Sequence, residues 1–158
     1  MSARVVPDYH ALARELAGVR SGKCIALANG CFDVLHVGHV RLLAEARGHA
    51  DLLVVALNSD ASARALKGEG RPHVSLEERM EVVAALGDVD YVTSFDELTA
   101  GPLIEALRPE LQIKGTDRSP ESVPEREQVE RYGGRILICG DPKTHSSTAL
   151  GGRLRGDG

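Results

Sequence analysis

The sequence predicts an α/β protein: a doubly wound, five-stranded parallel sheet with helices on both faces. Three observations predict it. Short, uninterrupted apolar runs recur along the chain, such as Cys24–Ala28 and Leu52–Leu57, as strands covered on both faces require. Segments of helical periodicity separate them, giving the strand–helix alternation of a parallel sheet. Polar, glycine-containing segments leave several of these runs at their carboxyl ends, where open α/β sheets bind ligands.

Taken in order, Asp8 to Val19 reads as a leading amphipathic helix. Asp8 is its N-cap candidate, and Leu12, Ala13, Leu16 and Val19 form its apolar stripe. Ser21-Gly22-Lys23 ends it. Cys24–Ala28 is the first strand and runs into Asn29-Gly30-Cys31-Phe32-Asp33-Val34-Leu35-His36-Val37-Gly38-His39. Val37, Val40, Leu43 and Ala44 then follow at helical spacing, to about Arg47. His36 and His39 thus fall at a helix start, three residues apart and on one face. Helix N-termini bind anions through unpaired N–H groups and a partial positive charge. Imidazoles there add donors, and Gly38 lets a phosphate approach the backbone. The stretch reads as a phosphate site.

Leu52–Leu57 is the second strand. Asn58-Ser59-Asp60 leaves it and caps a helix from Ala61 to Leu66. Lys67-Gly68-Glu69-Gly70-Arg71-Pro72 is a glycine-rich loop carrying two cations at the ligand edge. Ser75-Leu76-Glu77-Glu78 is a capping box, opening a helix to Leu86 with Leu76, Met80, Val83 and Ala84 inward and Arg79 at the border. Tyr91–Thr93 is a third strand, and Gly101–Leu107 a helix stopped by Pro109. Leu111–Lys114 is a fourth strand, leading into Gly115-Thr116-Asp117-Arg118. Glu121–Tyr132 reads as one polar helix and Arg135–Cys139 as the last strand. Thr144-His145-Ser146-Ser147-Thr148 opens a terminal helix.

Composition bounds the function. The 158 residues suffice for one domain with a proper core, taken as 1–154, with 155–158 a tail that resembles a cut linker to a further domain. A net charge of −4, from 19 basic and 23 acidic residues, argues against a general nucleic-acid binder. Aromatics at 3% argue against a base-stacking platform. No apolar run is long enough to span a membrane. Three cysteines, two within apolar runs, fit buried thiols in a reducing cytoplasm, so a cytoplasmic location is expected. A zinc site built from Cys31, Asp33, His36 and His39 competes for the same motif. Zinc requires three or four convergent ligands, and no Cys-x-x-Cys or His-Glu-x-x-His supports it.

The pattern Gly-x-Phe-Asp-x-x-His-x-Gly-His at residues 30–39 resembles the nucleotidyltransferase superfamily marked by His-x-Gly-His. The likeness covers about residues 8 to 154 and includes Asn58-Ser59-Asp60, Lys67-Gly68-x-Gly70-Arg71-Pro72, Arg79-Met80, Lys114-Gly115 and Ser146-Ser147-Thr148. Within that group it is similar to heptose 1-phosphate adenylyltransferase domains, and to the cytidylyltransferase domain preceding a phosphoenolpyruvate mutase in the fosfomycin pathway. The resemblance implies a Rossmann-like fold and transfer of a nucleoside monophosphate with release of pyrophosphate. It implies catalytic roles for His36, His39 and Lys67. Nucleotide contacts would come from Gly30, Cys31, Phe32, Gly38, Lys114, Gly115, Thr116, Asp117, Ser146, Ser147 and Thr148. Asn58, Asp60, Arg71 and Arg79 would meet the acceptor. Magnesium is the implied cofactor, held by the nucleotide phosphates, with Asp33 the candidate protein ligand.

Thr116 and Arg118 stand where heptose enzymes carry glycine and tyrosine. The chain also begins with this domain, with no sugar-kinase domain before it. On these grounds the expected reaction is CMP transfer from CTP to a small phosphonate, 2-hydroxyethylphosphonate, or a phosphate, as in phosphonate antibiotic biosynthesis. ADP-heptose synthesis from ATP is the alternative. A homodimer and a fused second catalytic domain are the partner arrangements considered, with neither nucleic acid nor membrane as partner.

Overall fold

A computed structural model describes residues 2–141. Its order is β1 (Arg4–Asp8), α1 (Tyr9–Ala17), β2 (Ile25–Gly30), α2 (Val37–Gly48), β3 (Leu52–Asn58), α3 (Asp60–Lys67), α4 (Leu76–Ala84), β4 (Tyr91–Phe95), α5 (Gly101–Leu107), β5 (Leu111–Gly115), α6 (Arg126–Arg131) and β6 (Arg135–Cys139). The strands form one sheet in the order β1-β4-β3-β2-β5-β6, and every neighbouring pair is parallel.

The expected five strands become six. The additional strand, Arg4–Asp8, pairs with β4 at the sheet edge. Its sequence conceals it. Four of its five residues are exposed and one is Pro7, so it lacks the apolar continuity that marks the inner strands. Proline is tolerated at an edge because no ladder partner needs its missing N–H.

Alternation along the strands builds two cores. Ala26 and Ala28 of β2, with Leu53, Val55 and Leu57 of β3, pack against Leu43 and Ala46 of α2 and Met80, Val83 and Ala84 of α4. Ile25, Leu27, Val54 and Ala56 face the other way, onto Leu12 and Leu16 of α1 and Leu103, Ile104 and Leu107 of α5. Neighbouring residues on a strand point to opposite faces, so a fully apolar run fills both layers.

The caps fall where the side chains dictate. Asp8 accepts from the His10 N–H at 2.9 Å, Ser59 from Ser62 at 3.2 Å and Ser75 from Glu78 at 3.4 Å. One expectation fails: Glu121–Tyr132 is not a single helix. A 3₁₀ turn at Pro120–Ser122 precedes a short α6 that begins only at Arg126. Pro124 explains the break, since proline inside a helix removes a donor and clashes with the preceding turn.

The sheet order places β2 between β3 and β5, so the chain leaves β2 for one face and enters β5 from the other. The cleft above the carboxyl ends of β2 and β5 is the switch point at which such sheets bind ligands.

Candidate functional site

Beyond Gly30 the chain turns sharply. Phe32 takes φ +48°, a left-handed conformation that costs a non-glycine residue on the order of 1–3 kcal/mol. It sets the Phe32 ring 5.4 Å from that of His39. Asp33, 4% exposed, anchors the turn from below. Its carboxylate accepts the N–H groups of His73 at 2.8 Å and Val74 at 3.0 Å, and Nε of Arg71 at 2.8 Å. Burial pushes the Asp33 carboxyl up, but those two amides and the guanidinium hold it below the usual carboxylate range.

His36 is the N-cap of α2. Its Nδ1 accepts the Gly38 N–H at 3.0 Å, and its own backbone N–H donates to Nδ1 of His39 at 3.2 Å. With both Nδ1 atoms accepting, the proton of each neutral ring lies on Nε2. The two rings lie 4.1 Å apart between centroids and border a pocket of about 800 Å³.

Arg79 forms the frame beneath. Although charged, it is 2% exposed. It donates to the carbonyls of Val74 (2.9 Å), Cys31 (2.7 Å) and Asn58 (2.8 Å), and to the Asp60 carboxylate at 2.8 Å. One side chain therefore joins the segments following β2 and β3 to the start of α4. Asp60 also accepts the Leu76 N–H at 2.9 Å.

On the other side, Gly115 ends β5. A Cβ there would stand 3.1 Å from the Asp117 carboxylate, so glycine lets that side chain fold back over the backbone. The Thr116 hydroxyl donates to the Asp141 carbonyl at 2.6 Å, tying the loop after β5 to the one after β6. Lys114 pairs with Glu125 at 3.5 Å, both side chains largely enclosed.

The fold thus gathers Gly30, Cys31, Phe32, His36, Gly38, His39, Asn58, Lys67, Lys114, Gly115, Thr116 and Asp117 around one pocket. Asp33, Asp60, Arg71 and Arg79 are not in its lining; they lie behind the wall, engaged with one another and with backbone groups. Ser146, Ser147 and Thr148 lie outside the described residues. The lining also includes residues that the sequence reading did not assign to a site: Leu66 near the end of α3, Phe95, Leu98 and Thr99 at the end of β4 and beyond, and Pro124, Glu125 and Gln128 around the α6 break. Pro124 was the available signal, because a proline inside a helical pattern marks a break.

Among the described residues, no group of three or more His, Cys, Asp or Glu side chains could hold a metal ion. Burial pushes the Cys31 thiol up. No helix among the described residues is long and apolar enough to cross a membrane.

The family model for cytidylyltransferase-like proteins matches residues 27–146, from β2 through the pocket and beyond. The chain belongs to the cytidylyltransferase-like family. It is a nucleotidyltransferase. Similar members of this cytidylyltransferase-like group include the bifunctional protein HldE of Geobacter sulfurreducens, 56% identical over 92% of this chain and 30% of that protein. HldE of Koribacter versatilis is 48% identical over 94% of this chain and 30% of its own length. HldE of a Bradyrhizobium species is 46% identical over 98% and 32%. The chain therefore spans less than a third of the length of these curated relatives.

Among solved structures, the lipopolysaccharide core biosynthesis protein of Thermoplasma volcanium superposes with a TM-score of 0.67 at 23% identity, covering 77% of this chain and 100% of that one. The pantoate-β-alanine ligase of Francisella tularensis gives 0.63 at 14%, covering 98% and 77%. At such identities these two speak for the fold alone.

The HldE relatives overturn the expected reaction. They stand on the heptose 1-phosphate adenylyltransferase side of the resemblance, so CMP transfer from CTP, a phosphonate acceptor and phosphonate antibiotic biosynthesis are withdrawn. That expectation rests on Thr116 and Arg118 in place of glycine and tyrosine and on a chain that starts directly with this domain. In the structure both residues line the pocket, the Thr116 hydroxyl held by the neighbouring loop and Arg118 exposed, so it is the relatives that decide against that reading.

Proposed function

We propose that residues 1–154 form an adenylyltransferase domain that transfers AMP from ATP to a sugar 1-phosphate of the heptose class, releasing pyrophosphate. The observation that carries this reading is the pairing of two things. One pocket joins the His36/His39 helix start, Lys67 and the Lys114–Asp117 loop, and relatives 46–56% identical over most of the chain are HldE proteins.

The chemistry asks little of the protein beyond position and charge. A phosphate oxygen of the acceptor forms a bond to the α-phosphorus of ATP. The bond from that phosphorus to the bridging oxygen breaks in line, and pyrophosphate leaves with the electron pair. The nucleophile is already ionised at neutral pH, so no general base is needed. Catalysis rests on orienting two anions and spreading their charge. His36 and His39 supply Nε2 donors beside the N-terminus of α2, with Lys67 adding a cation at the rim. The Lys114–Asp117 loop is suited to lie along the base. Ser146, Ser147 and Thr148 are proposed to reach the β- and γ-phosphates. Arg71, Arg79, Asn58 and Asp60 serve the acceptor by holding the loops in register. Magnesium would arrive with the nucleotide phosphates, as it commonly does; the donor set suits this, because cations and imidazoles dominate the histidine side. Such chemistry belongs in the cytoplasm, where ATP is found.

The test is a pyrophosphate-release assay crossing ATP and CTP with a heptose 1-phosphate and 2-hydroxyethylphosphonate. Turnover with ATP and the sugar phosphate is the expected result. Turnover confined to other pairs would refute the reading.

A further inference from the structure

An amide lies deep in the sheet at a position whose neighbours are all apolar. Gln112, the second residue of β5, is fully buried. It stands beside Leu27 of β2 and Ile136 of β6 in the strand register. Leu111 and Ile113, on either side of it, belong to the core under α2, so its own side chain faces the layer of α1 and α5. A glutamine so placed carries a desolvation cost that leucine or methionine would not. What it makes in return is a hydrogen bond at the edge of the pocket: Nε2 donates to Oδ1 of Asn29 at 2.7 Å.

Asn29, next to last in β2, is half-buried and lines the pocket. Ile25 and Leu27 of the same strand face the α5 layer, and Asn29 continues their row. It therefore belongs to the part of the pocket bordered by Phe95, Leu98, Thr99 and Gly101. The loop assigned to the base lies against the other layer, since a Cβ on Gly115 would come 3.8 Å from Leu42 of α2. Gln112 takes the oxygen of the Asn29 amide from inside the sheet, which turns the NH₂ end of that planar group toward the cleft. An amide free to turn could serve a hydroxyl, which both donates and accepts. Fixing it as a donor matters for an atom that can only accept, and an ionised phosphate oxygen is such an atom.

We propose that Nδ2 of Asn29 donates to the phosphate of the acceptor, and that Gln112 is a positioning residue that holds the amide in this orientation. A neutral amide orients the attacking phosphate while drawing less on its charge than a cation does. What the bound phosphate then does rests on the adenylyltransferase reading, but the binding test does not depend on turnover. Wild-type protein, Asn29→Asp and Gln112→Met are titrated calorimetrically, below the onset of melting, with methyl phosphate, a heptose 1-phosphate and ATP. Asn29→Asp keeps the oxygen that Gln112 uses and loses the donor. It should bind methyl phosphate and the sugar phosphate roughly 10- to 100-fold more weakly, the range for a hydrogen bond to a charged group. Gln112→Met carries no charge and touches no ligand, yet it should bind the same two compounds roughly 3- to 10-fold more weakly. Its melting temperature should match or exceed that of wild type, and ATP should bind all three proteins alike. Unchanged phosphate affinity in Gln112→Met would reduce the glutamine to packing and overturn its positioning role. A loss for the sugar phosphate alone would mean that Asn29 reads the sugar, and an equal loss for ATP would mean plain charge repulsion; either overturns the proposal. Weaker methyl phosphate binding in both variants, without AMP transfer by wild type, would refute the proposed function and leave this inference standing. AMP transfer by wild type, with methyl phosphate bound alike by all three proteins, would do the reverse.

Discussion

The two sides of the loop system above β2 use the same kinds of charged residue for opposite purposes. Behind the wall, Arg71 and Arg79 are 7% and 2% exposed, and each is tied to a carboxylate, Asp33 and Asp60, at 2.8 Å. At the pocket, the His39 ring accepts the His36 backbone N–H and the His36 ring that of Gly38, and Lys67 stands exposed at the rim. The difference teaches that a cation's role is set by where its side chain ends. Arginine's planar fork can satisfy several carbonyls at once in a buried frame. A lysine at the surface of a cleft presents its charge to an incoming anion. Frame residues should therefore control stability and cleft residues turnover, and variants on each side can break that separation.

The largest effect is expected in the frame. Arg79→Met leaves the Val74, Cys31 and Asn58 carbonyls and the Asp60 carboxylate without their shared donor. It should cost about 3–5 kcal/mol of stability, read by denaturant unfolding; a loss below about 1 kcal/mol would show that the loops hold without it. Next comes His39→Ala, expected to lower kcat by roughly 10²–10³ while the melting temperature stays close to wild type. A variant that melts early yet turns over normally when folded would place His39 in the frame instead.

Lys67→Met should raise the KM of an anionic substrate by about tenfold or more with unchanged stability. Wild-type kinetics in that variant would reduce the residue to ordinary solvated surface. The pH dependence separates the two sides again. The Asp33 carboxyl is held below its ordinary range, so its contribution is present at neutral pH and fades as pH falls below about 4, through the folded value. Asp33→Asn should therefore be less stable at pH 7 and show a shallower acid limb than wild type in thermal melts from pH 7 to 3. Parallel limbs for the two proteins would contradict the carboxylate's role. The smallest effect belongs to Thr116→Val, which removes the hydrogen bond to Asp141 and should cost about 1 kcal/mol without changing ATP-over-CTP preference. A marked shift toward CTP or away from it would show that Thr116 does touch the base.

Much of the frame was readable from residue type alone. The inner strands β2 and β3 are continuously apolar because both faces are covered, and Ser59 and Ser75 mark helix starts by their own capping chemistry. The histidine pair is equally local: three residues of helical spacing suffice to place both rings together. The edge strand β1 and the break at Pro124 were harder, since an exposed strand has no hydrophobic signature and a polar helix pattern tolerates one proline by eye. The nucleotide expectation is corrected by the relatives and not by the loop itself. Thr116 beside Gly115 lines the pocket, and only the fold shows its hydroxyl held by Asp141, twenty-five residues away.

Local pattern, then, determined the alternating α/β order, the sharp turn after β2 and the placing of its two histidines together at a helix start. These depend on periodicity, capping and spacing within a few residues. Tertiary structure alone decided which cations face the pocket and which brace it. It also decided that Glu125 meets Lys114 across the α6 break, and that Arg79 links segments separated by 48 positions in the chain. Such choices are made by packing between distant segments, where burial and the pairing of polar groups settle which way a side chain turns.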